Sequence, residues 1–168
     1  MFQRIRQRMR DMRTIKNLCE SAERYANQDS QPEPGLEHFI LAALALPDGS
    51  ARRAFQRIGA DPDAFQAAIA QQYAAALGHA GIAGKMPEQA ITARPGPYRA
   101  KAQGGTLMRA LASQPRATPL EALTGAHVIL AGTAGQHGVA ARALRIMGID
   151  PAILAGAARA EIGAQPRG

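Results

Sequence analysis

The sequence repeats itself at a fixed offset of 89 positions. Under that offset, residues 34–69 fall on residues 123–158 without a gap. The identical residues include histidines, glycines, arginines and Asp-Pro pairs: His38 and His127, Gly49 and Gly138, Arg53 and Arg142, Gly59 and Gly148, and Asp61-Pro62 and Asp150-Pro151. Since these residue types mark where helices begin, end or touch, the repeat indicates a duplicated helical unit.

The composition favours helix over strand. Hydrophobic residues make up 46% of the chain, but alanine supplies many of them, tryptophan is absent and aromatic residues reach only 4%. Alanine favours helix and allows close helix packing, whereas strand-forming β-branched and aromatic residues are scarce. At 168 residues the chain is long enough to bury a core. We therefore predict an all-α protein.

Turn and cap residues divide each unit into three predicted helices. In the first unit these helices span residues 36–46, 50–58 and 62–77. Asp48 is placed to cap the second helix, and Asp61, followed by Pro62, to cap the third. Gly59 stands where a left-handed residue commonly ends a helix. The second unit repeats this pattern.

A longer predicted helix precedes each unit, over residues 14–27 and 101–113. The sequence thus predicts about eight helices in two pseudo-symmetric four-helix repeats. A single repeat would leave its apolar faces in water, so we expect the two to pack into one globular domain. The predicted order is a first repeat, a linker rich in glycine and proline, a second repeat and a tail: residues 1–77, 78–97, 98–163 and 164–168.

Several ordered motifs resemble the Clp amino-terminal domain family. Residues 36–44, Leu-Glu-His-Phe-Ile-Leu-Ala-Ala-Leu, resemble the family's Glu-His-Leu-Leu-Leu-Ala-Leu signature. Residues 47–49 and 59–61 follow in the family's order as Pro-Asp-Gly and Gly-Ala-Asp. Residues 1–4 and 97–101 resemble the starts of the family's two repeats, so the resemblance covers nearly the whole chain.

The resemblance implies a non-catalytic protein-interaction module of the Clp unfoldase–protease system. Such a module binds substrates, adaptors or competing ligands, regulates proteolysis and needs no cofactor. The sequence has no Gly-x-x-x-x-Gly-Lys-Ser/Thr phosphate loop, and residues 81–86 are only the nearest approach to one. We therefore expect no enzyme activity, in either a free-standing domain or a part of a longer ATPase.

Three residues are candidates for ligand binding through this resemblance. In some family members a glutamate matching Glu37 holds the guanidinium of phosphorylated arginine. Alternatively, Glu37 interacts favourably with the positive N-terminus of its own helix. Phe2 and Tyr98 match aromatic residues that line a groove between the family's repeats, and the alternative for both is core packing.

The second repeat departs from the family's ligand motif. Gly125 and Ala126 stand where Thr-Glu is expected, and Leu36 replaces the threonine of the first repeat. Glu121 could partly substitute, because it forms a capping-box pattern with Thr118. The sequence therefore does not support phosphoarginine binding at two sites.

Histidine and cysteine carry no pattern typical of chemistry. His38 and His127 occupy equivalent repeat positions, and no cluster of Asp, Glu or Cys completes a metal-ligand set around them in the sequence. We predict a structural role for both histidines and no metal site. Cys19 is the only cysteine, which excludes an internal disulfide, and its mid-helix position predicts a small buried side chain.

The N-terminal stretch is strongly basic and amphipathic. Its cationic residues are Arg4, Arg6, Arg8, Arg10, Arg13 and Lys16, and its apolar residues at helical spacing are Phe2, Ile5, Met9 and Met12. We expect the arginines on the wet face of the first helix. Nucleic-acid contact and membrane-surface binding are the alternatives. The net charge of +7 predicts weak attraction to polyanions, so a basic nucleic-acid-binding protein is the second functional hypothesis.

The remaining sequence features predict location and assembly. No apolar run approaches 18 residues, so we predict no membrane span. The N-terminus lacks an apolar signal core, which makes the cytoplasm the expected compartment. We expect a monomer whose partners are proteins or peptides.

Overall fold

Eight helices and no strand form the part of the chain that the computed structural model describes, residues 2–79, 102–114 and 121–164. The helices are α1 Phe2–Gln28, α2 Leu36–Leu44, α3 Ser50–Arg57, α4 Ala64–His79, α5 Ala102–Ser113, α6 Gly125–Gly132, α7 Val139–Ile146 and α8 Pro151–Gly163. The predicted all-α fold with about eight helices is confirmed.

Several helix boundaries differ from the prediction, and α4 begins at Ala64 instead of residue 62. α1 begins at Phe2 instead of residue 14, and α4 continues through Gly78 and His79, which were assigned to the linker. The rest of the predicted linker, residues 80–97, lies outside the described residues. The division of the chain into domains therefore stays a prediction.

Positions 89 residues apart also share their helix starts and their positive φ angles. α2 and α6 begin 89 positions apart, as do α3 and α7. Gly49 and Gly138 precede α3 and α7 with φ of 66° and 103°, and Gly59 and Gly148 follow them with φ of 73° and 68°. Residues with a Cβ rarely adopt these positive φ values, so the sequence keeps glycine at the same turns of both repeats.

The aspartates of the two Asp-Pro pairs accept equivalent hydrogen bonds, each from the backbone N–H two residues further on. The carboxylate of Asp61 accepts from the backbone N–H of Asp63 at 2.9 Å, and that of Asp150 accepts from Ala152 N–H at 2.8 Å. Asp150 thus caps α8 as predicted, whereas Asp61 satisfies an N–H in the turn before α4, which begins at Ala64.

α2 lies at the centre of the fold. All nine of its residues are buried, and it contacts α1 and α3–α7. Phe39 of α2, Phe55 of α3 and Phe65 of α4 are fully buried in the same core. Burial of such large side chains is the main favourable contribution to the stability of the first repeat.

Contacts between the repeats occur in equivalent pairs. α3 packs on α8 and α4 packs on α7, while α3 contacts α6 and α2 contacts α7. If α2, α3 and α4 are replaced by their equivalents α6, α7 and α8 and the reverse, the α3–α8 contact becomes the α4–α7 contact, and the α3–α6 contact becomes the α2–α7 contact. The α2–α6 contact is its own equivalent. This is the pattern of a pseudo-twofold arrangement.

An arginine from each repeat reaches across to the last helix of the other. Arg53 donates to the Glu161 carboxylate at 2.7 Å, and the equivalent Arg142 donates to the Gln72 side-chain carbonyl at 2.9 Å. Arg57 adds a second ion pair to Glu161 at 2.8 Å. Burial opposes ionisation of Glu161, but the hydrogen bonds from both arginines outweigh it and lower its pKa.

The first repeat caps the N-terminus of α6. The Asp48 carboxylate accepts from Gly125 N–H at 3.2 Å, and Ser50 Oγ accepts from Ala126 N–H at 2.8 Å. Ala126 is fully buried at this contact. Two of the N–H groups that begin α6 are therefore satisfied by the first repeat.

The arginines near the N-terminus of α1 face solvent as expected, but the apolar side chains between them do so as well. The exposed apolar residues are Phe2, Ile5, Met9 and Met12. Leu18, which is fully buried, follows Met9 by nine residues, and about 100° per residue places the two on opposite sides of the helix. The inward face instead carries Asp11, whose carboxylate accepts from Leu123 N–H at 3.0 Å. A polar side chain is buried here because it meets a backbone donor of the second repeat.

Candidate functional site

The Glu37 carboxylate, the main sequence candidate, is buried inside the first repeat. Only 2% of the Glu37 residue surface is exposed, and Tyr73 Oη donates to Oε1 at 2.6 Å. A Cβ at Gly35 would lie 2.5 Å from the same oxygen, so a larger residue at position 35 would displace the carboxylate. Glu37 therefore has a structural partner, in addition to its favourable position in the first turn of α2.

Tyr73 is fixed as a hydrogen-bond donor to Glu37. Burial raises the pKa of its phenol, and the hydrogen bond to Glu37 raises it further. The Tyr73 ring also stacks on the His38 ring, with 6.4 Å between centroids and 12° between planes. The equivalent second-repeat positions are Ala126 and Ile162, so this polar cluster has no counterpart there.

His38 and His127 have the same structural role in the two repeats. His38 Nδ1 accepts from Gly35 N–H at 2.9 Å, and His127 Nδ1 accepts from Thr124 N–H at 3.2 Å. With Nδ1 as acceptor, Nε2 carries the hydrogen and faces a carboxylate, Asp29 for His38 and Glu121 for His127. Each histidine thus satisfies an N–H just before its helix.

The three predicted ligand residues are not brought together by the described structure. Phe2 lies at the N-terminus of α1 and is 82% exposed, whereas Glu37 is buried in α2. Tyr98 lies outside the described residues. A shared ligand site of these three residues stays a prediction.

The basic face of α1 is open to solvent. Its exposed arginines are Arg4, Arg6, Arg8, Arg10 and Arg13. In the described part of the chain, none of these side chains forms an ion pair or a side-chain hydrogen bond. Arginines with free guanidinium groups are available to an anionic partner.

Two pockets lie at equivalent places in the two repeats. Neither pocket was predicted from the sequence. The second-repeat pocket, between α6, α7 and α8, has a volume of about 640 Å³, whereas the first-repeat pocket has about 130 Å³. The lining positions related by the offset are Leu41 and Leu130, Leu44 and Thr133, Ala45 and Ala134, Arg52 and Ala141, Pro62 and Pro151, Asp63 and Ala152, and Gln66 and Ala155.

At four of these seven pairs of positions the second repeat has the smaller side chain, which agrees with its larger pocket. Arg52 and Asp63 form an ion pair at 2.9 Å across the first-repeat pocket. Alanines 141 and 152 replace them in the second repeat, so nothing bridges that pocket. The aligned repeats contain this signal, but sequence alone does not show that these positions face each other.

The described residues contain no feature typical of a metal centre or a membrane span. No group of three or more His, Cys, Asp or Glu side chains within them is placed to hold a metal ion. Among the eight helices, none is both long enough and apolar enough to cross a bilayer. Cys19 is partly buried against the core, as its small apolar character predicts.

Comparison with known families agrees with these features. Residues 13–93 match the model of the Clp repeat (R) N-terminal domain family, close to half of the chain. This part of the chain is similar to a Clp N-terminal domain. The matched part runs from Arg13 in α1 past α4, so residues 1–4 and the second repeat lie outside it. No curated protein matches the chain.

Proposed function

We propose that this chain is a non-catalytic protein-interaction module of the Clp unfoldase–protease system, acting as a cytoplasmic monomer. The observation that carries the proposal is the match of residues 13–93 to the Clp repeat (R) N-terminal domain family, in a chain of eight described helices. Its partners are unfolding substrates, adaptors or ligands that compete with them. Because the family's domain binds proteins without chemical turnover, we expect this chain to regulate proteolysis by binding alone.

Calorimetric titration of the purified chain tests this proposal. The titrants are a Clp adaptor from the same organism and a permanently unfolded small domain of near-zero net charge. We expect saturable binding to at least one of them that persists at high salt. ATP, peptide and ester substrates should remain unhydrolysed. Absence of binding to both proteins, or turnover that is lost on changing one residue of this chain, would contradict the proposal.

We further propose that ligand contacts Phe2 and Tyr98 at the junction of the repeats. The exposure of Phe2 supports this, since an exposed aromatic side chain is available as an anchor. Phe2→Ala or Tyr98→Ala should weaken binding of the adaptor by about 1–2 kcal/mol. Glu37→Gln should weaken binding only if the ligand is a cation or a phosphoarginine. The Glu37 carboxylate already accepts a hydrogen bond from the Tyr73 hydroxyl, which favours a structural role for Glu37.

Polyanion binding is a second candidate function, favoured by the free arginines of α1. Nucleic-acid binding of this kind weakens steeply with salt, because each neutralised phosphate releases counterions. If generic double-stranded DNA binds, Arg6→Gln/Arg10→Gln should reduce the slope of log affinity against log salt by about 2. A slope that does not change with these substitutions would exclude the α1 arginines as the contact.

A further inference from the structure

We propose that the second-repeat pocket binds an acidic peptide segment, in which a carboxylate lies beside an aliphatic side chain. This inference rests on the proposed protein-binding function and specifies one of its sites. The pocket is separate from Phe2 and Glu37, neither of which lines it. Its volume of about 640 Å³ lies in the range of small-ligand and peptide side-chain pockets.

The first-repeat pocket can be compared directly with the second-repeat pocket, because the two lie at equivalent positions. Both repeats form the cavity from the same helical positions, but the Arg52–Asp63 ion pair crosses the first one. Ala141 and Ala152 leave the second one open. The second repeat therefore lacks the ion pair that the first repeat forms between two residues lining the cavity.

The second-repeat pocket is also more basic than the first. Arg145 and Arg159 line it, whereas the equivalent first-repeat positions are Gln56 and Ala70. In the described part of the chain, neither arginine forms an ion pair or a side-chain hydrogen bond. Two unpaired guanidinium groups beside one cavity favour a carboxylate ligand.

The one acidic residue that lines the second-repeat pocket does not cancel this preference. Asp150 caps α8, where its carboxylate accepts from Ala152 N–H at 2.8 Å. It therefore already has a partner, and the two arginines outnumber it. The charge of the pocket lining selects an anion over a cation.

The pocket also has an aliphatic lining. Leu130 is half-buried and Ala152 is exposed, so both present apolar surface to a ligand. An inorganic anion would leave this apolar surface uncovered, whereas a leucine-sized side chain would cover it. The adjacent rim, residues 134–137, is exposed, so a peptide chain can continue past the pocket.

A matched set of peptides tests the charge preference. The probe is a ten-residue peptide of alternating leucine and glutamate, compared with peptides carrying glutamine or lysine in place of glutamate. We expect the glutamate peptide to bind the full chain at least tenfold more tightly than the other two. Free acetate should not compete at equal concentration, since it lacks the aliphatic part. Equal affinity for the three peptides, or full displacement by acetate, would overturn the inference.

Arginine variants locate the binding to the pocket. Arg145→Gln/Arg159→Gln should weaken binding of the glutamate peptide about tenfold, because both charge-assisted contacts are lost. The control Arg24→Gln/Arg109→Gln removes the same charge from exposed arginines outside the pocket. Equal losses in both pairs would indicate only long-range attraction and would overturn the site.

A second variant closes the pocket with the pair found in the first repeat. Ala141→Arg/Ala152→Asp should abolish binding of the glutamate peptide if the variant keeps its helical content in circular dichroism. If it fails to fold, the arginine variants still decide the question. Loss of peptide binding without loss of adaptor binding supports the pocket as a separate site. A parent chain that binds the adaptor but no acidic peptide would overturn this inference and leave the proposed function standing.

Discussion

Contact between the two repeats excludes any side chain larger than hydrogen at position 125. A Cβ on Gly125 would lie 2.9 Å from the carbonyl oxygen of Ala43 and 2.9 Å from the Cβ of Ala51. Neither neighbour can move easily, since one is backbone and the other, Ala51, is fully buried. Gly125 therefore sets how closely α6 approaches the first repeat.

Gly125→Ala should lower the free energy of unfolding by about 2 kcal/mol, because overpacking a tight contact forces the helices apart. The control is Gly156→Ala in α8, where an added Cβ meets nothing within 4 Å. That substitution should stabilise the protein by about 0.5–1 kcal/mol through helix propensity. Urea unfolding of both variants measures the two changes. A neutral Gly125→Ala would show that the repeats are not in fixed contact.

At the scale of single residues, the sequence predicts some roles and not others. The helix-starting aspartates and the helix-ending glycines were predictable because their partners lie within a few positions. The hydrogen bond from Tyr73 to Glu37 joins residues 36 positions apart, and no local pattern indicates it. The tertiary packing of α2 and α4 determines that Tyr73 meets the candidate ligand residue Glu37.

At the scale of a helix, α1 carries two stripes and only one of them is buried. The exposed stripe contains Ile5 and Met9, which are 51% and 53% exposed, and the buried stripe contains Leu18 and Ala22. Helical periodicity predicts both stripes but does not say which one faces the domain. The decision comes from contacts with α2 and with Leu123, which lie far away in sequence.

Substitutions in the two stripes should differ sharply in their effect on stability. Ile5→Gln/Met9→Gln should change the free energy of unfolding by less than about 0.5 kcal/mol, because both side chains are exposed. Leu18→Ala should cost about 3 kcal/mol, because it leaves a cavity in the core. Thermal and urea unfolding of the two variants test the assignment. A large loss in the Ile5/Met9 variant would place the apolar stripe against the domain, as the sequence alone suggests.

At the scale of the whole molecule, the duplicated sequence gives the fold its symmetry. Substitutions between the two repeats give each repeat different polar contacts. The offset, the eight helices and their turns could be predicted because each repeat confirms the other. The differences lie at a few equivalent positions, where the ion pair of Arg52 and Asp63 becomes two alanines and Gln72 becomes Glu161. Their consequences depend on which side chains meet across the pseudo-twofold, so they required the structure.

The ion pairs of Glu161 connect the repeats and should make stability depend on pH. Hydrogen bonds from Arg53 and Arg57 lower the pKa of Glu161 below its ordinary value of 4.5 in the folded protein. The folded state therefore holds the proton less tightly than the unfolded chain does. The stabilisation is fully present above about pH 4.5 and is lost as the pH falls through the lowered pKa of the folded state.

Glu161→Gln should cost about 0.5–1 kcal/mol at pH 7, a modest amount because the side chains of Arg53 and Arg57 are 52% and 49% exposed. Glutamine can still accept from Arg53, as Gln72 accepts from Arg142. The difference between parent and variant should shrink as the pH falls below about 4.5 and the parent's carboxylate becomes protonated. Urea unfolding at pH 7, 5, 4 and 3 measures this difference. The control Glu20→Gln removes the same charge from an exposed pair with Lys16 on α1 and should show no such trend. If the parent and Glu161→Gln lose stability in parallel down to pH 3, the contact between the repeats does not depend on the charge of Glu161.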